Sequence, residues 1–141
     1  MPSTLQDFYP YFMAALCVWR EARNQSQEAR RGIWWTLQNR VGKSLFRPNL
    51  VSVVLQPWQF SSFNATDPNV TKFPNPLVPM DWQAWLEILA IAESPGVDPT
   101  KGAVYYESFP AEELDAIRGK DSWFARDKLT VQIDQVRFYQ A

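Results

Sequence analysis

Residues 11–23 read Tyr-Phe-Met-Ala-Ala-Leu-Cys-Val-Trp-Arg-Glu-Ala-Arg, and this stretch decides the fold. Phe12, Leu16 and Trp19 recur at helical spacing, which places them on one face of a helix. Small and apolar residues fill most of the remaining circumference. Because a helix that is apolar nearly all round lies inside a protein, the stretch predicts a buried central helix.

This helix ends on a carboxylate, Glu21, which continues the row formed by Ala14 and Cys17. Apolar surroundings favour the neutral form of a carboxyl group and suit it to donating a proton near neutral pH. Glu21 is therefore a candidate general acid. The alternative is that Glu21 is the first solvated residue after a core helix and pairs with Arg20 or Arg23.

The composition excludes several classes of catalyst. The chain has no His, which removes Ser-His-Asp and Cys-His catalysis and the zinc-peptidase motif, and its one Cys excludes an internal disulfide. Proton transfer must then use Asp, Glu, Tyr or Lys, and glycosidic bond cleavage is the common chemistry that carboxylates perform alone. The sequence indicates no metal and no organic cofactor, and this chemistry needs none.

Size and charge predict one folded domain over residues 1–141. Hydrophobic residues make up 46% of the chain, which argues against disorder, and a net charge of -1 argues against nucleic-acid binding. No apolar run is long enough for membrane insertion, and the N-terminus lacks the basic region of a secretory signal. We expect a monomer that stays in the cytoplasm until it is released.

Two further long helices are predicted. The first begins after the N-cap Ser26, ends at Gly42, and has its apolar positions at Ala29, Ile33, Leu37 and Val41. The second begins with Asp81 as its cap, ends before Pro95, and has a buried stripe of Trp82, Trp85, Leu86 and Leu89.

The C-terminal part predicts a turn over residues 98–102, a short extended segment, a short helix over residues 110–117 and a hairpin. Leu129, Val131 and Ile133 alternate with polar residues, as do Val136 and Phe138, with Asp134-Gln135 between them. The fold class is therefore mainly helical α+β, with a central buried helix and a small C-terminal β-hairpin.

Residues 57–63 read Pro-Trp-Gln-Phe-Ser-Ser-Phe, so aromatic and hydrogen-bonding residues alternate in a long loop. Disorder does not fit so aromatic a loop. One interpretation is a groove wall that stacks rings on sugar faces, while Gln59 and Ser61 bind hydroxyl groups. The other is an Ω-loop whose aromatic side chains fill the core.

Several short motifs follow one another in a defined order: Glu21-Ala22-Arg23, Leu37-Gln38-Asn39-Arg40-Val41, Phe46-Arg47-Pro48-Asn49, Gln56-Pro57-Trp58-Gln59-Phe60-Ser61, Pro99 to Tyr106, and Arg137-Phe138-Tyr139. In this order they resemble the SleB-type cell wall hydrolases, the spore-cortex-lytic enzymes and their phage relatives. The resemblance implies a lysozyme-like fold acting on peptidoglycan, with Glu21 as the catalytic acid.

The sequence departs from the family pattern at three places. Gln25 stands where the family commonly repeats Glu, and Arg20 stands where a small or aromatic residue is usual. Glu107-Ser108 replaces a frequent His-Asn pair. Because a guanidinium aimed at Glu21 would lower the pKa of that carboxyl group, we expect Arg20 to turn to solvent.

The resemblance implies cleavage between N-acetylmuramic acid and N-acetylglucosamine, with Glu21 protonating the glycosidic oxygen. In a lytic transglycosylase the same glutamate then acts as base while the muramic 6-hydroxyl closes an anhydro ring. A hydrolytic muramidase needs a second carboxylate, for which Glu107 and Asp67 are candidates, although each could be a surface charge. We expect the transglycosylase, since the sequence offers one convincing glutamate.

The residues expected to bind the glycan are Trp58, Gln59, Phe60, Ser61, Tyr105 and Tyr106. Tyr105 could orient Glu21 or stabilise developing charge, or it could pack in the core. A phage endolysin fits a chain that accumulates in the host cytoplasm and reaches the periplasm or cell wall once the membrane opens. The alternative from another class is a catalytically inactive domain that binds peptidoglycan.

Overall fold

Helix α1 (Leu5–Ala22) forms the centre of the structure, a computed structural model that describes residues 4–43, 46–55, 67–108 and 128–140. Every residue from Ala14 to Trp19 is at most 3% exposed, on all faces of the helix. Three other helices, α2 (Gln27–Arg40), α3 (Leu50–Val54) and α4 (Pro79–Glu93), pack against it. The predicted central buried helix is confirmed.

Helix α1 begins six residues earlier than the apolar stretch that starts at Tyr11. The Thr4 side chain caps it by accepting a hydrogen bond from the Asp7 backbone N–H at 3.1 Å. Pro10 lies inside the helix and has no backbone N–H to donate to the Gln6 carbonyl, four residues earlier. Because Gln6 is exposed, its carbonyl can bind water instead.

Helix α2 follows its predicted pattern. Ser26 is the N-cap and accepts from the Ala29 backbone N–H at 3.2 Å, and Gly42 has a φ of +76° just after the end of the helix. Ala29, Ile33 and Leu37 are fully buried. Val41 lies beyond the last turn and is partly exposed, because the helix ends at Arg40.

Helix α4 differs from its prediction in two ways. It begins at Pro79, so Asp81 lies in the first turn and the cap position belongs to Val78. Its buried residues are Ala84, Trp85, Ile88, Ile91 and Ala92, whereas Leu86 is 45% exposed. Apolar side chains occupy most of this helix, and the face that carries two alanines is the one that packs closely inside.

The three strands form one antiparallel sheet in the order β1 (Tyr105–Ser108), β3 (Val136–Tyr139), β2 (Leu129–Ile133). Strands β2 and β3 form the predicted hairpin, with Asp134 in the turn at a φ of +53°. Strand β1 pairs with β3, with Tyr105 opposite Tyr139. The mainly helical α+β fold class is confirmed, while the predicted helix over residues 110–117 lies outside the described residues.

The sheet packs on α2 where a glycine faces an aromatic ring. A Cβ atom placed on Gly32 would lie 2.5 Å from Cζ of Phe138, which is closer than any real side-chain contact. Phe138 is fully buried. The absence of a side chain at Gly32 therefore lets β3 approach the helix.

A hydrogen-bonded turn positions the start of β1. The Asp98 carboxylate accepts from the backbone N–H and hydroxyl of Thr100 and from the Gly102 N–H, at 2.7–3.0 Å. Asn39 donates to Asp98 at 2.9 Å and to the Ala103 carbonyl at 3.0 Å. Burial alone would raise the pKa of Asp98, but these hydrogen bonds to the charged form lower it. The predicted turn is confirmed.

Candidate active site

Glu21 lies in the last turn of α1, four residues after the fully buried Cys17, and is itself partly buried. It opens onto a cavity of about 310 Å³. The other residues that line this cavity are polar or charged: Arg20, Arg23, Asn24, Asn69 and Asp81. We refer to it as the Glu21 cavity. Glu21 therefore stands between the apolar core and a polar recess.

The charge of Glu21 affects two groups on the core side. Burial raises the pKa of the Cys17 thiol well above its ordinary value, and the nearby Glu21 carboxylate raises it further. The same two causes, in the same order, raise the pKa of the Tyr106 hydroxyl. Both groups are therefore neutral at physiological pH, so Tyr106 is a neutral phenol within electrostatic reach of the carboxylate.

Arg20 is buried, and the expectation that it turns to solvent is wrong. It is 7% exposed and donates to the carbonyls of Lys72 at 3.1 Å and Val70 at 2.9 Å. Its guanidinium lies 4.9 Å from the centre of the Phe73 ring. The 3-10 turn Pro68–Thr71 supplies one of these carbonyl groups, from Val70, and Lys72, which follows the turn, supplies the other. Burial lowers the pKa of Arg20.

Arg23 connects the other walls of the Glu21 cavity. Its guanidinium lies 4.6 Å from the centre of the Trp19 ring, donates to Asn69 Oδ1 at 3.3 Å, and lies 3.9 Å from Asp81 Oδ1. The Trp19 indole donates to the Asp81 carbonyl at 2.9 Å, which holds the start of α4 against the end of α1. Contacts between distant segments thus assemble the cavity.

Glu107 and Asp67, the two candidates for a second carboxylate, are not among the described residues that line the Glu21 cavity. Glu107, on β1, accepts a hydrogen bond from the Tyr139 hydroxyl at 2.6 Å and is absent from the described lining of the Glu21 cavity. Asp67 caps the 3-10 turn by accepting a hydrogen bond from the Asn69 N–H at 2.7 Å. Its charge also favours the charged form of the Arg20 guanidinium. The carboxylate that shares the cavity with Glu21 is Asp81, which sequence reasoning had taken for a helix cap.

The two tyrosines of β1 occupy different surroundings. The Tyr106 ring lies 6.4 Å from that of Phe138 and packs on the core near Glu21. The Tyr105 ring lies 5.6 Å from that of Phe46 and 5.7 Å from the Arg40 guanidinium. Arg40 is buried and donates to the Val104 carbonyl at 2.6 Å. The other expected glycan-binding residues lie outside the described residues: Trp58, Gln59, Phe60 and Ser61.

A larger cavity, of about 790 Å³, lies away from Glu21 between the first half of α1, α2 and the end of α4. Tyr11, Trp35, Gln38 and Glu93 are among its lining residues. Size alone would favour this cavity as the site. The smaller Glu21 cavity is nevertheless the candidate active site, because there a carboxylate emerges from the core beside other charged groups.

Within the described parts of the chain, no three His, Cys, Asp or Glu side chains lie close enough together to hold a metal ion. Among the described helices, none combines the length and the apolar character needed to cross a membrane.

The sequence model of a known family, the cell wall hydrolases, matches residues 24–139. The chain belongs to the cell wall hydrolase family. The resemblance to SleB-type members that the motifs indicated is thereby confirmed. The match begins three residues after Glu21, so the case for that glutamate rests on its position in the structure and on the motif around it.

Two solved structures share the fold of this cell wall hydrolase. The catalytic domain of the germination-specific lytic transglycosylase SleB from Bacillus anthracis has a TM-score of 0.64 and 21% identity, covering 99% of this chain and 100% of that one. The catalytic domain of the Bacillus cereus SleB protein has a TM-score of 0.60 and 19% identity, covering 99% of this chain and 95% of that one. No curated protein sequence matches the chain.

Proposed function

We propose that this chain is a lytic transglycosylase that cleaves peptidoglycan between N-acetylmuramic acid and N-acetylglucosamine. The observation that carries the proposal is the position of Glu21, a carboxylate at the end of a buried helix that opens onto a polar cavity. Membership of the cell wall hydrolase family supplies the class of substrate. Of the two structural relatives, one is the catalytic domain of a germination-specific lytic transglycosylase and the other is the catalytic domain of a SleB protein.

Glu21 acts first as an acid and then as a base. It gives its proton to the glycosidic oxygen, the bond from that oxygen to the muramic C1 breaks, and positive charge develops at C1. The carboxylate then takes the proton of the muramic 6-hydroxyl while that oxygen bonds to C1. The product is a 1,6-anhydro sugar, no water is consumed, and Glu21 regains its proton.

The surroundings of Glu21 suit this proton cycle. The core side presents two buried groups that are neutral at physiological pH, the Cys17 thiol and the Tyr106 hydroxyl. The buried Arg20 is engaged by the backbone carbonyls of Val70 and Lys72. Tyr106 is a neutral donor near the carboxylate, a position from which it can help to orient Glu21.

Hydrolysis is the second candidate, and Asp81 favours it because its carboxylate lines the same cavity as Glu21. In that reaction Asp81 would activate a water molecule after Glu21 has protonated the leaving oxygen. Its Oδ1 atom lies 3.9 Å from Nε of Arg23, on the wall of the same cavity. Glu107 and Asp67 stay as predictions for the same role.

Product analysis separates the two reactions. Purified protein is incubated with peptidoglycan sacculi, and the soluble fragments are analysed by mass spectrometry. We expect 1,6-anhydro-muropeptides, whereas fragments that all carry reducing ends would establish the muramidase. A protein that sediments with sacculi and releases no fragments would be the inactive binding domain.

Substitution of Glu21 tests its role. Glu21→Gln removes the proton donor, and we expect activity on outer-membrane-permeabilised cells to fall by at least about 100-fold, since general acid–base catalysis contributes 10²–10⁴-fold. The matched control is Glu28→Gln, which changes an exposed carboxylate on α2 that pairs with Arg31. The control should clear cells at the normal rate. Equal activity of Glu21→Gln and the control would assign the acid to another residue.

The resemblance to phage relatives leads us to propose an endolysin role as well. The expected behaviour is accumulation without harm in the bacterial cytoplasm and rapid lysis once the membrane is permeabilised. Expression with and without a holin measures this directly. Lysis that starts at the same time in both cultures would speak against the role.

A further inference from the structure

A second cavity, of about 700 Å³, adjoins the Glu21 cavity. The two share three lining residues, Arg23, Asn24 and Asp81. They therefore form one continuous recess that passes from the end of α1 across the α1–α2 turn to the first turns of α4. We call this second cavity the adjoining cavity; a polymer held at Glu21 can extend into it.

The chemistry of the adjoining cavity differs from that of a sugar-binding surface. Its described lining contains no aromatic ring, and sugar rings are held mainly by stacking on aromatic faces. It offers amide groups on Asn24, Gln25 and Gln83, charges of both signs, and an apolar edge where Met80 is 86% exposed. Amides, charges and a small apolar edge match a short peptide better than a saccharide.

Gln25, one of these lining residues, carries an acceptor atom without a partner. Its Oε1 atom is buried and has no hydrogen-bond partner among the described residues. The backbone N–H of Gln25 donates to the Ala22 carbonyl at 3.0 Å, which fixes the residue at the end of α1. A buried acceptor without a partner costs free energy, so an N–H donor supplied by a bound ligand would remove that cost.

Contacts within the protein hold the two arginines of the adjoining cavity in place. Arg30 is committed, because it donates to the carbonyls of Ala22 and Arg23 and pairs with Glu87. Arg23 lies on the wall shared with the Glu21 cavity, where it donates to the Arg20 carbonyl and to Asn69 Oδ1, both at 3.3 Å, and lies 3.9 Å from Asp81. These contacts hold its positive charge next to the reacting sugar, where the charge attracts a ligand carboxylate.

We propose that the adjoining cavity binds the peptide stem carried by the muramic acid whose glycosidic bond lies at Glu21. Gln25 accepts a hydrogen bond from a stem amide N–H, and Arg23 faces a stem carboxylate. This inference rests on the function proposed above. It makes Gln25 a specificity-determining residue that distinguishes glycan strands with stems from strands without them.

The first test compares two forms of one substrate. Glycan strands that carry stems, and strands from which an amidase has removed them, are given to wild-type protein, Gln25→Leu and the control Gln27→Leu. We expect wild type and the control, whose side chain is exposed, to cleave stem-bearing strands with about tenfold higher kcat/KM, roughly what one or two hydrogen bonds supply. Gln25→Leu should lose this preference and cleave stripped strands normally.

A binding measurement keeps the outcome independent of catalysis. In the Glu21→Gln background, titration calorimetry compares the disaccharide of the two sugars with the same disaccharide carrying its stem. We expect the stem-bearing fragment to bind about tenfold more tightly than the bare disaccharide. This difference should disappear when Gln25→Leu is added. It should remain when Gln25→Glu is added instead, because glutamate retains an acceptor oxygen.

The outcomes separate the two proposals. If the wild type cleaves neither substrate while the binding preference and its loss in Gln25→Leu are observed, the cavity assignment stands and the transglycosylase does not. If wild type cleaves both strands equally and binds both fragments equally, the adjoining cavity does not hold the stem. A preference that survives in Gln25→Leu would likewise overturn the role of Gln25.

Discussion

At the residue scale, Tyr139 and Glu107 form a diagonal pair across β1 and β3. Glu107 stands opposite Arg137, and the Tyr139 hydroxyl reaches along the sheet to its carboxylate at 2.6 Å. Burial and then this hydrogen bond raise the pKa of Tyr139 to about 12. Since the ordinary pKa of a tyrosine is about 10, the folded protein favours the neutral phenol.

The pH dependence of stability follows from this shift. The contribution of Tyr139 is fully present below pH 10 and is lost as the pH rises from about 10 to about 12, because the unfolded chain releases the proton more easily. Tyr106, whose pKa is also raised, acts in the same direction. We expect the free energy of unfolding to fall over this window in urea titrations.

Tyr139→Phe should make that fall shallower and should lower stability at pH 8 by about 1 kcal/mol through the lost hydrogen bond. Tyr9→Phe, at a position half exposed on α1, is the control and should follow the wild-type curve. Parallel curves for wild type and Tyr139→Phe between pH 10 and 12 would show that the pair does not influence the titration.

Local sequence predicts the placement of some residues around the candidate site and not of others. Glu21 could be selected because its row on the helix is set by neighbours within one turn or two. Arg20 was misplaced because its partners, the carbonyls of Val70 and Lys72, lie about fifty residues away and carry no side-chain signature. Asp81 was missed as a cavity residue because only packing of α4 on α1 brings it there.

At the scale of elements, the contact between Gly32 and Phe138 holds the sheet against α2. Gly32→Ala has two opposing effects: alanine improves helix propensity by about 1 kcal/mol, while the added methyl group overpacks the interface at a cost of about 1–3 kcal/mol. Because the new Cβ would lie 2.5 Å from Phe138 Cζ, we expect the cost to win. Urea denaturation should show a net loss of up to about 2 kcal/mol.

A second substitution identifies the cause. Phe138→Leu replaces the ring that meets the methyl group by a shorter side chain. Gly32→Ala should therefore be less destabilising in the Phe138→Leu background than in the wild type. Equal effects of Gly32→Ala in both backgrounds would mean that the methyl group is accommodated elsewhere.

The elements themselves were predictable where one physical signal dominated. Ser26, Gly42 and the apolar repeat define α2 locally, and alternation defines the hairpin. The buried face of α4 was not predictable, because apolar residues lie on most of its circumference and the choice depends on which face fits α1 and α2. The pairing of β1 with β3 likewise depends on a strand thirty residues away.

At the scale of the whole molecule, the site is the meeting point of three separate segments. The end of α1 supplies Glu21, the 3-10 turn supplies Asn69, and the start of α4 supplies Asp81. Family membership and fold follow from motifs spread over the chain, whereas the shape of the recess follows from how these segments pack. The class of enzyme was therefore easier to predict than the groups that line the candidate site.

The chain has one cysteine, Cys17, and it is fully buried in the central helix. Thiol reagents attack the thiolate, and burial raises the pKa of this thiol well above its ordinary value. We expect labelling of the native protein to be at least about 10³-fold slower than labelling in urea, because reaction requires opening of the core. Timed maleimide labelling followed by mass spectrometry measures both rates, and fast labelling of the native protein would contradict the buried placement.

The reactivity of Cys17 therefore reports whether the central helix is folded, one turn before the proposed acid. A single added mass on an intact chain would report that the helix presenting Glu21 had come loose. For each substitution above, an inert thiol together with lost activity would trace the defect to chemistry, and a reactive one would trace it to unfolding.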